Sequence, residues 1–194
     1  MKLKEINKIR KPYFGYEELA GVLQINKASA SVAAARYVRQ GIFLRIKKNI
    51  YVLREVWNNM AKKEKFALAN LGQSPSYISL MTALDYYEIT TQMQMDFYES
   101  IAVKRTKEIF LNGTVFRYSR IAPELYFGFV KDKDFFIASP EKALLDAFYL
   151  MTFGRYALDI SALDPEKLDF NEIKTLAGKF PLKTRKLLNK HGYL

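Results

Sequence analysis

The sequence predicts an α+β fold, and three observations carry that prediction. Helix-periodic and strand-like runs both recur along the 194 residues. Hydrophobic residues make up 49% of the chain and aromatic ones 14%, enough to fill a core. Asn112-Gly113 lies between two β-rich runs, the strongest short hairpin signal, and it points to antiparallel pairing.

In the first part, Lys2 to Lys11 is expected to be helical, with Leu3, Ile6 and Ile9 on one side, and Lys11-Pro12 ends it. "GYEELAGVL" predicts a second helix, with Glu17 and Glu18 in the first turn, where the macrodipole favours anions. Asn26 caps a third helix, from Lys27 to Gln40, that stops at Gly41. "IFLRI" and "IYVL", joined by "KKN", form a hairpin. Three helices followed by a basic hairpin is the layout of a winged helix-turn-helix.

"LREVWNNMAKKEK" marks the change between the two parts, which are joined by a helix. The boundaries are 1–55 for the first domain and 56–194 for the second. In the second, "KEKFALANL" is helical, and "SPSYISLMTALDYYEI" is a capped turn leading into a helix. "SIAVKRT", "KEIFLNGTVFRYSRI", "ELYFGFV" and "DFFIA" supply strands. Ser139-Pro140 opens an amphipathic helix with Ala143, Leu144, Ala147, Phe148 and Met151 on one side. Two more helices close the chain. The expectation is thus an N-terminal winged helix-turn-helix followed by a mixed α/β domain, with a small, largely antiparallel sheet and C-terminal helices.

The third helix is built from small residues. At 3.6 residues per turn, Ala30, Ala33, Ala34 and Tyr37 fall on an inner side, with Val38 and Ile42 beside them. Lys27, Ser29, Ser31, Val32, Ala35, Arg36 and Arg39 fall on the outer side, slim at its start and cationic at its end. A helix enters a DNA major groove about 12 Å wide only when its leading side chains are small. The hairpin adds Arg45, Lys47, Lys48 and Asn49 at or near its tip, suited to backbone or minor-groove contacts. The candidate DNA-binding set is Lys27, Ser29, Ser31, Arg36, Arg39, Arg45, Lys47 and Lys48.

Charge points the same way. The chain carries 31 Lys/Arg against 20 Asp/Glu, a net +11. The first 55 residues hold 12 basic and 4 acidic ones, a net +8, which leaves +3 for the other 139. Such a patch attracts polyanions, nucleic acid first. Cysteine is absent, which excludes disulfide and thiolate chemistry. The N-terminus lacks a signal peptide's apolar core and no stretch is long and apolar enough for a membrane span, so a cytoplasmic protein without membrane contact is expected.

No enzyme constellation emerges, and no cofactor, metal or catalytic residue is expected. His191 lacks a second histidine or a cysteine for a zinc site. Phosphate-cradling glycine loops are absent. Asp85, Glu141 and Asp146 fall on predicted helices, Glu141 as a first-turn dipole partner and Asp146 as a solvated or ion-paired residue. Lys104, Arg105, Lys107, Arg117 and Arg120 come from neighbouring strands. They form either the solvated face of a half-buried sheet or a docking face for an acidic protein or RNA.

Stretches in both halves resemble the AbiEi family of type IV antitoxins and related regulators. They are "YFGYEELAGVLQINKASASVAAARYVRQGIFLRIKKNIYVL", "PSYISLMTALDYYEI", "VKRTKE", "GTVFRYSRIAPELYFGF" and "FFIASPEKALLDAFYL". The resemblance covers about residues 13–152. It implies a winged helix that represses its own operon by binding an inverted-repeat operator in double-stranded DNA, as two copies on the repeat. It also implies a second domain that counteracts a neighbouring nucleotidyltransferase-like toxin in an abortive-infection system. The chain is short for such a protein, which leaves room for a further C-terminal region. "SPEKALLD" is either a capping motif or a site. The rival reading is an interaction module whose basic N-terminus binds RNA or a partner protein.

Overall fold

The computed structural model describes residues 3–9 and 11–194. The chain divides into two compact units, Met1–Leu68 and Ala69–Leu194. The division falls inside a helix spanning Lys62–Gly72, rather than at 55/56.

The first unit begins with α1 (Leu3–Ile6), α2 (Tyr16–Leu23) and α3 (Lys27–Arg39). The expected helix over Lys2 to Lys11 is shorter: α1 gives way to turns that place Ile6 and Ile9 in the core. Its Lys2 and Arg10 lie outside the described residues. Asn26 caps α3 by accepting the Ser29 amide at 2.8 Å, and Gly41 follows the helix with φ 72°, a conformation glycine adopts without penalty. The hairpin pairs β1 (Phe43–Lys47) with β2 (Ile50–Leu53), and Asn49 takes φ 61° in its turn.

The core of this unit is the inner side of α3 against an aromatic cluster. Ala30, Ala33, Ala34 and Tyr37 are buried together with Phe14, Phe43 and Tyr51. Phe43 meets Phe14 edge-on at 4.8 Å between ring centroids and lies 5.0 Å from Tyr37. Phe14 and Tyr51 also exchange both backbone hydrogen bonds, at 2.9 and 3.0 Å, and so tie the segment before α2 to β2. The unit continues through α4 (Arg54–Asn58) into α5 (Lys62–Gly72).

The second unit is mixed α and β, around one six-stranded sheet in the order β5-β6-β4-β3-β8-β7. Its strands are β3 (Ser76–Ile78), β4 (Phe97–Ala102), β5 (Lys107–Leu111), β6 (Thr114–Arg120), β7 (Phe129–Asp132) and β8 (Phe135–Ala138). Three neighbouring pairs are antiparallel (β5–β6, β4–β3, β8–β7), while β6–β4 and β3–β8 are parallel. The hairpin at Asn112-Gly113 has both residues at positive φ, 48° and 85°, as a tight two-residue turn requires.

Three expectations need correction here. "SPSYIS" is not only a turn: β3 sits in the middle of the sheet with all three residues buried, too short a run to stand out by periodicity. "ELYFGFV" is a strand only from Phe129, because Pro123–Leu125 takes a 3-10 turn first. The helix after Ser139, α7 (Pro140–Thr152), is not one-sided. Its residues 141–148 are all buried, with α6 (Leu80–Tyr86), α8 (Phe170–Ala177), α9 (Leu182–Lys190) and β8 packed around it.

Candidate functional site

The outer side of α3 and the hairpin form the most developed candidate site. Ser29, Ala35, Arg36 and Arg39 are exposed, and Val32 is 70% exposed, so this side is slim, open and cationic at its C-terminal end. Ser29, Val32 and Arg36 are spaced three and four residues apart and therefore line up on one stripe. The Arg36 guanidinium lies 5.2 Å from the centroid of the Tyr37 ring, a contact that orients it while leaving it exposed. Lys27 is engaged by Glu17 of α2 at 2.6 Å, an exposed pair of small energetic worth that a phosphate can displace.

Ser31 stands apart from Ser29. It is half-buried and shares a shallow pocket with Tyr16, Val38, Arg39, Arg45 and Tyr51. The Tyr51 hydroxyl donates to that of Tyr16 at 3.1 Å. Hydrogen bonds from Ser31 and Tyr51, with the charges of Arg45 and Lys48, hold the Tyr16 hydroxyl below the usual phenol value. Burial, with Tyr16 beside it, pushes Tyr51 up to about 12. Three hydroxyls beside two guanidinium groups match the hydrogen-bonding and charge demands of a phosphodiester.

The hairpin is held against α2 by its own turn. Asn49 is not a free tip residue: its Oδ1 accepts the Tyr16 amide at 2.6 Å and so caps α2 from across the chain. Gly15 leaves room for this, since a Cβ there would lie 3.0 Å from Asn49 Oδ1 and 3.1 Å from its carbonyl oxygen. Arg45 and Lys48 remain exposed, and Lys47 is half-buried. Sequence reasoning missed Tyr16, Tyr51 and the anchoring role of Asn49, and no local signal announces them: Asn49 meets the Tyr16 amide across 33 positions and the two tyrosine hydroxyls meet across 35.

The five cations expected to share a face on the second unit do not do so. Lys104 and Arg105 lie beyond the end of β4. Lys107 stands opposite Tyr118, whereas Arg117 stands opposite Glu108, so adjacent register positions send these two to opposite faces of the sheet. Lys107 Nζ donates to the Gly72 carbonyl at 3.0 Å, and Arg117 pairs with Glu108 at 2.9 Å. Arg120, at the end of β6, is exposed.

"SPEKALLD" forms a capped, inward-facing segment. The Ser139 hydroxyl accepts the Lys142 amide at 3.2 Å, and Glu141 accepts the Asp169 amide at 3.2 Å. Lys142 and Asp146 pair with both side chains fully buried. Asp146 also accepts the hydroxyls of Tyr77 at 3.0 Å and Ser79 at 2.8 Å, and Lys142 donates to Tyr77 at 3.0 Å. Burial disfavours charge on both, lowering the Lys142 ammonium and raising the Asp146 carboxyl, while the attraction between them opposes both shifts. His191 ends α9, exposed, with its ring 5.7 Å from that of Phe148.

Among the described residues no group of three or more His, Cys, Asp or Glu is placed to hold a metal, and no helix is long and apolar enough to cross a membrane. Comparison with protein-family models gives no match, and neither does comparison with curated proteins.

Proposed function

We propose that this protein is a DNA-binding transcriptional repressor whose first unit is a winged helix-turn-helix. In this reading α3 enters the major groove, and Arg45, Lys47 and Lys48 of the hairpin hold the flanking backbone. The observation that carries the reading is the slim, open outer side of α3 beside a pocket of three hydroxyls and two guanidinium groups. Ser29, Val32 and Arg36 are placed for base edges, Val32 for a thymine methyl. Lys27, Ser31, Arg39, Arg45, Lys47 and Lys48 serve phosphates. The exposure of Ser29, Val32, Ala35 and Arg36 on the outer side favours this reading over an N-terminus given to a protein partner.

The resemblance to AbiEi antitoxins extends the proposal. The DNA is then an inverted-repeat operator upstream of the protein's own operon, bound by two copies. The second unit counteracts a nucleotidyltransferase-like toxin encoded beside it, and the protein works in the cytoplasm without catalysing a reaction of its own.

Binding of the full chain to its upstream promoter DNA and to a random duplex of equal length tests the first part. Ser29→Ala with Arg36→Ala weakens promoter binding at least tenfold more than random-duplex binding. Arg45→Ala with Lys48→Ala weakens both alike and lowers the salt slope by about 2, as loss of two phosphate contacts requires. Equal losses on both DNAs for the α3 variant overturn base reading by α3. Growth rescue on co-expression with the neighbouring reading frame tests the second part, and no rescue removes it.

A further inference from the structure

The excess positive charge outside the first 55 residues is concentrated at the other end of the chain. Residues 170–194 carry six Lys/Arg against one glutamate, which leaves residues 56–169 at net −2. Within α9, Lys183, Lys186 and Lys190 are all exposed, and their spacing of three and four places them on one stripe. None of the three forms an ion pair among the described residues, and neither do Arg120 and Arg155.

An exposed aromatic ring sits among these charges. Phe153, at the end of α7, is 52% exposed. The Arg155 guanidinium and the Lys183 ammonium each lie 6.0 Å from its ring centroid. Arg155 in turn donates to the Arg120 carbonyl at 2.9 Å, and the Thr152 hydroxyl meets that of Thr184 at 3.4 Å. The end of β6, the end of α7 and the start of α9 are thereby linked. Arg120, Arg155 and the α9 lysines make a cationic track around a half-exposed ring that packs edge-on against Tyr149 at 5.1 Å.

Cations without acidic partners call for a polyanion, and the half-exposed ring says which kind. In a duplex the base faces are covered by stacking, so an exposed phenyl between cations gains nothing from one. An unpaired base can lie on the ring while its neighbouring phosphates meet the cations, the arrangement by which single strands are held without base reading. We propose that this surface of the second unit binds single-stranded RNA, the form in which unpaired strands are long-lived in a cell. The proposal is independent of the DNA-binding reading of α3.

Fluorescence anisotropy of the full chain with a labelled U20 RNA, over a range of salt, tests it. Replacing Lys183, Lys186 and Lys190 together by Gln is expected to weaken U20 binding at least tenfold at low salt. The same change lowers the salt slope by about 2, from roughly 0.7 per neutralised phosphate on a single strand. Phe153→Leu is expected to weaken binding about fivefold or more, within the worth of one stacked base, with the slope unchanged. Ser29→Ala with Arg36→Ala leaves U20 binding within twofold, and thermal melts check that every variant is folded. Wild-type binding by the triple lysine variant overturns the proposal. So does loss of U20 binding in the α3 variant, which moves the RNA to the first unit, and so does tighter binding of dT20 than of U20.

Discussion

The helices α3 and α7 are both 13 residues long, and each starts from a side-chain cap, Asn26 in one and Ser139 in the other. Four residues of α3 are buried, all on one side; nine of α7 are buried, around nearly its whole circumference. The charged residues separate them further. Arg36 and Arg39 of α3 face water, whereas Lys142 and Asp146 of α7 are fully enclosed and answer each other. A charge on a helix therefore does not by itself mark a solvent-facing side. What decides is whether a partner one turn away and neighbouring hydroxyls satisfy it inside.

The largest effect that can break this comparison comes from Asp146. Asp146→Ala leaves the Lys142 ammonium enclosed without its counter-charge and strands the hydroxyls of Tyr77 and Ser79. A loss of about 3–5 kcal/mol is expected from urea unfolding of the full chain, against about 0.5 kcal/mol or less for Arg36→Ala. A cost below 1 kcal/mol for Asp146→Ala would mean that the pair does not hold α7 in place.

Glu99 of β4 sharpens the contrast, because it is a buried carboxylate without an enclosed cation. Burial pushes its carboxyl up to about 7, although the Tyr156 hydroxyl at 2.8 Å and the charge of Arg117 pull the other way. Between the ordinary glutamate value of 4.5 and about 7, the native state keeps a proton that the unfolded chain has released. Stability contributed by this group is therefore lost as pH rises through that window. Glu99→Gln is expected to flatten the stability profile there, with the two curves diverging by about 3 kcal/mol in full. Parallel profiles would return Glu99 to the ordinary carboxylate range.

The smallest effect concerns the two sides of α3. Ala34 is fully buried and Ala35 exposed. Ala34→Leu overpacks the contact and is expected to cost about 1–3 kcal/mol. Ala35→Leu should change stability by about 0.5 kcal/mol or less, while thickening the outer side and, under the proposed DNA-binding function, weakening promoter binding. Equal stability losses would show that α3 is packed on both sides.

The division of α3 into sides was legible because alanine, tyrosine and arginine recur at helical spacing between an asparagine cap and a glycine stop. The hairpins were legible locally too, the first from two β-rich runs joined by "KKN" and the second from Asn112-Gly113. What escaped depends on partners far along the chain. Nothing near Asp146 announces Tyr77 and Ser79, which lie 69 and 67 positions away. The three residues of β3 become a strand only because β4 and β8 flank them. In the candidate site, the cations of α3 and the hairpin could be named from charge and order. Tyr16 and Tyr51 could not, since their hydroxyls meet across 35 residues.

The clasp between Asn49 and the start of α2 sets how this hairpin can vary. Asn49 reaches the Tyr16 amide at 2.6 Å in a short turn that passes so close to Gly15 that a Cβ there would press on Asn49 Oδ1 at 3.0 Å. One residue inserted before Asn49 would displace its amide by roughly the 3.3 Å rise of a strand residue and open the clasp. Gly15 and Asn49 are thus coupled in space: a side chain at position 15 obliges the hairpin turn to give by a few tenths of an ångström and loosens the clasp.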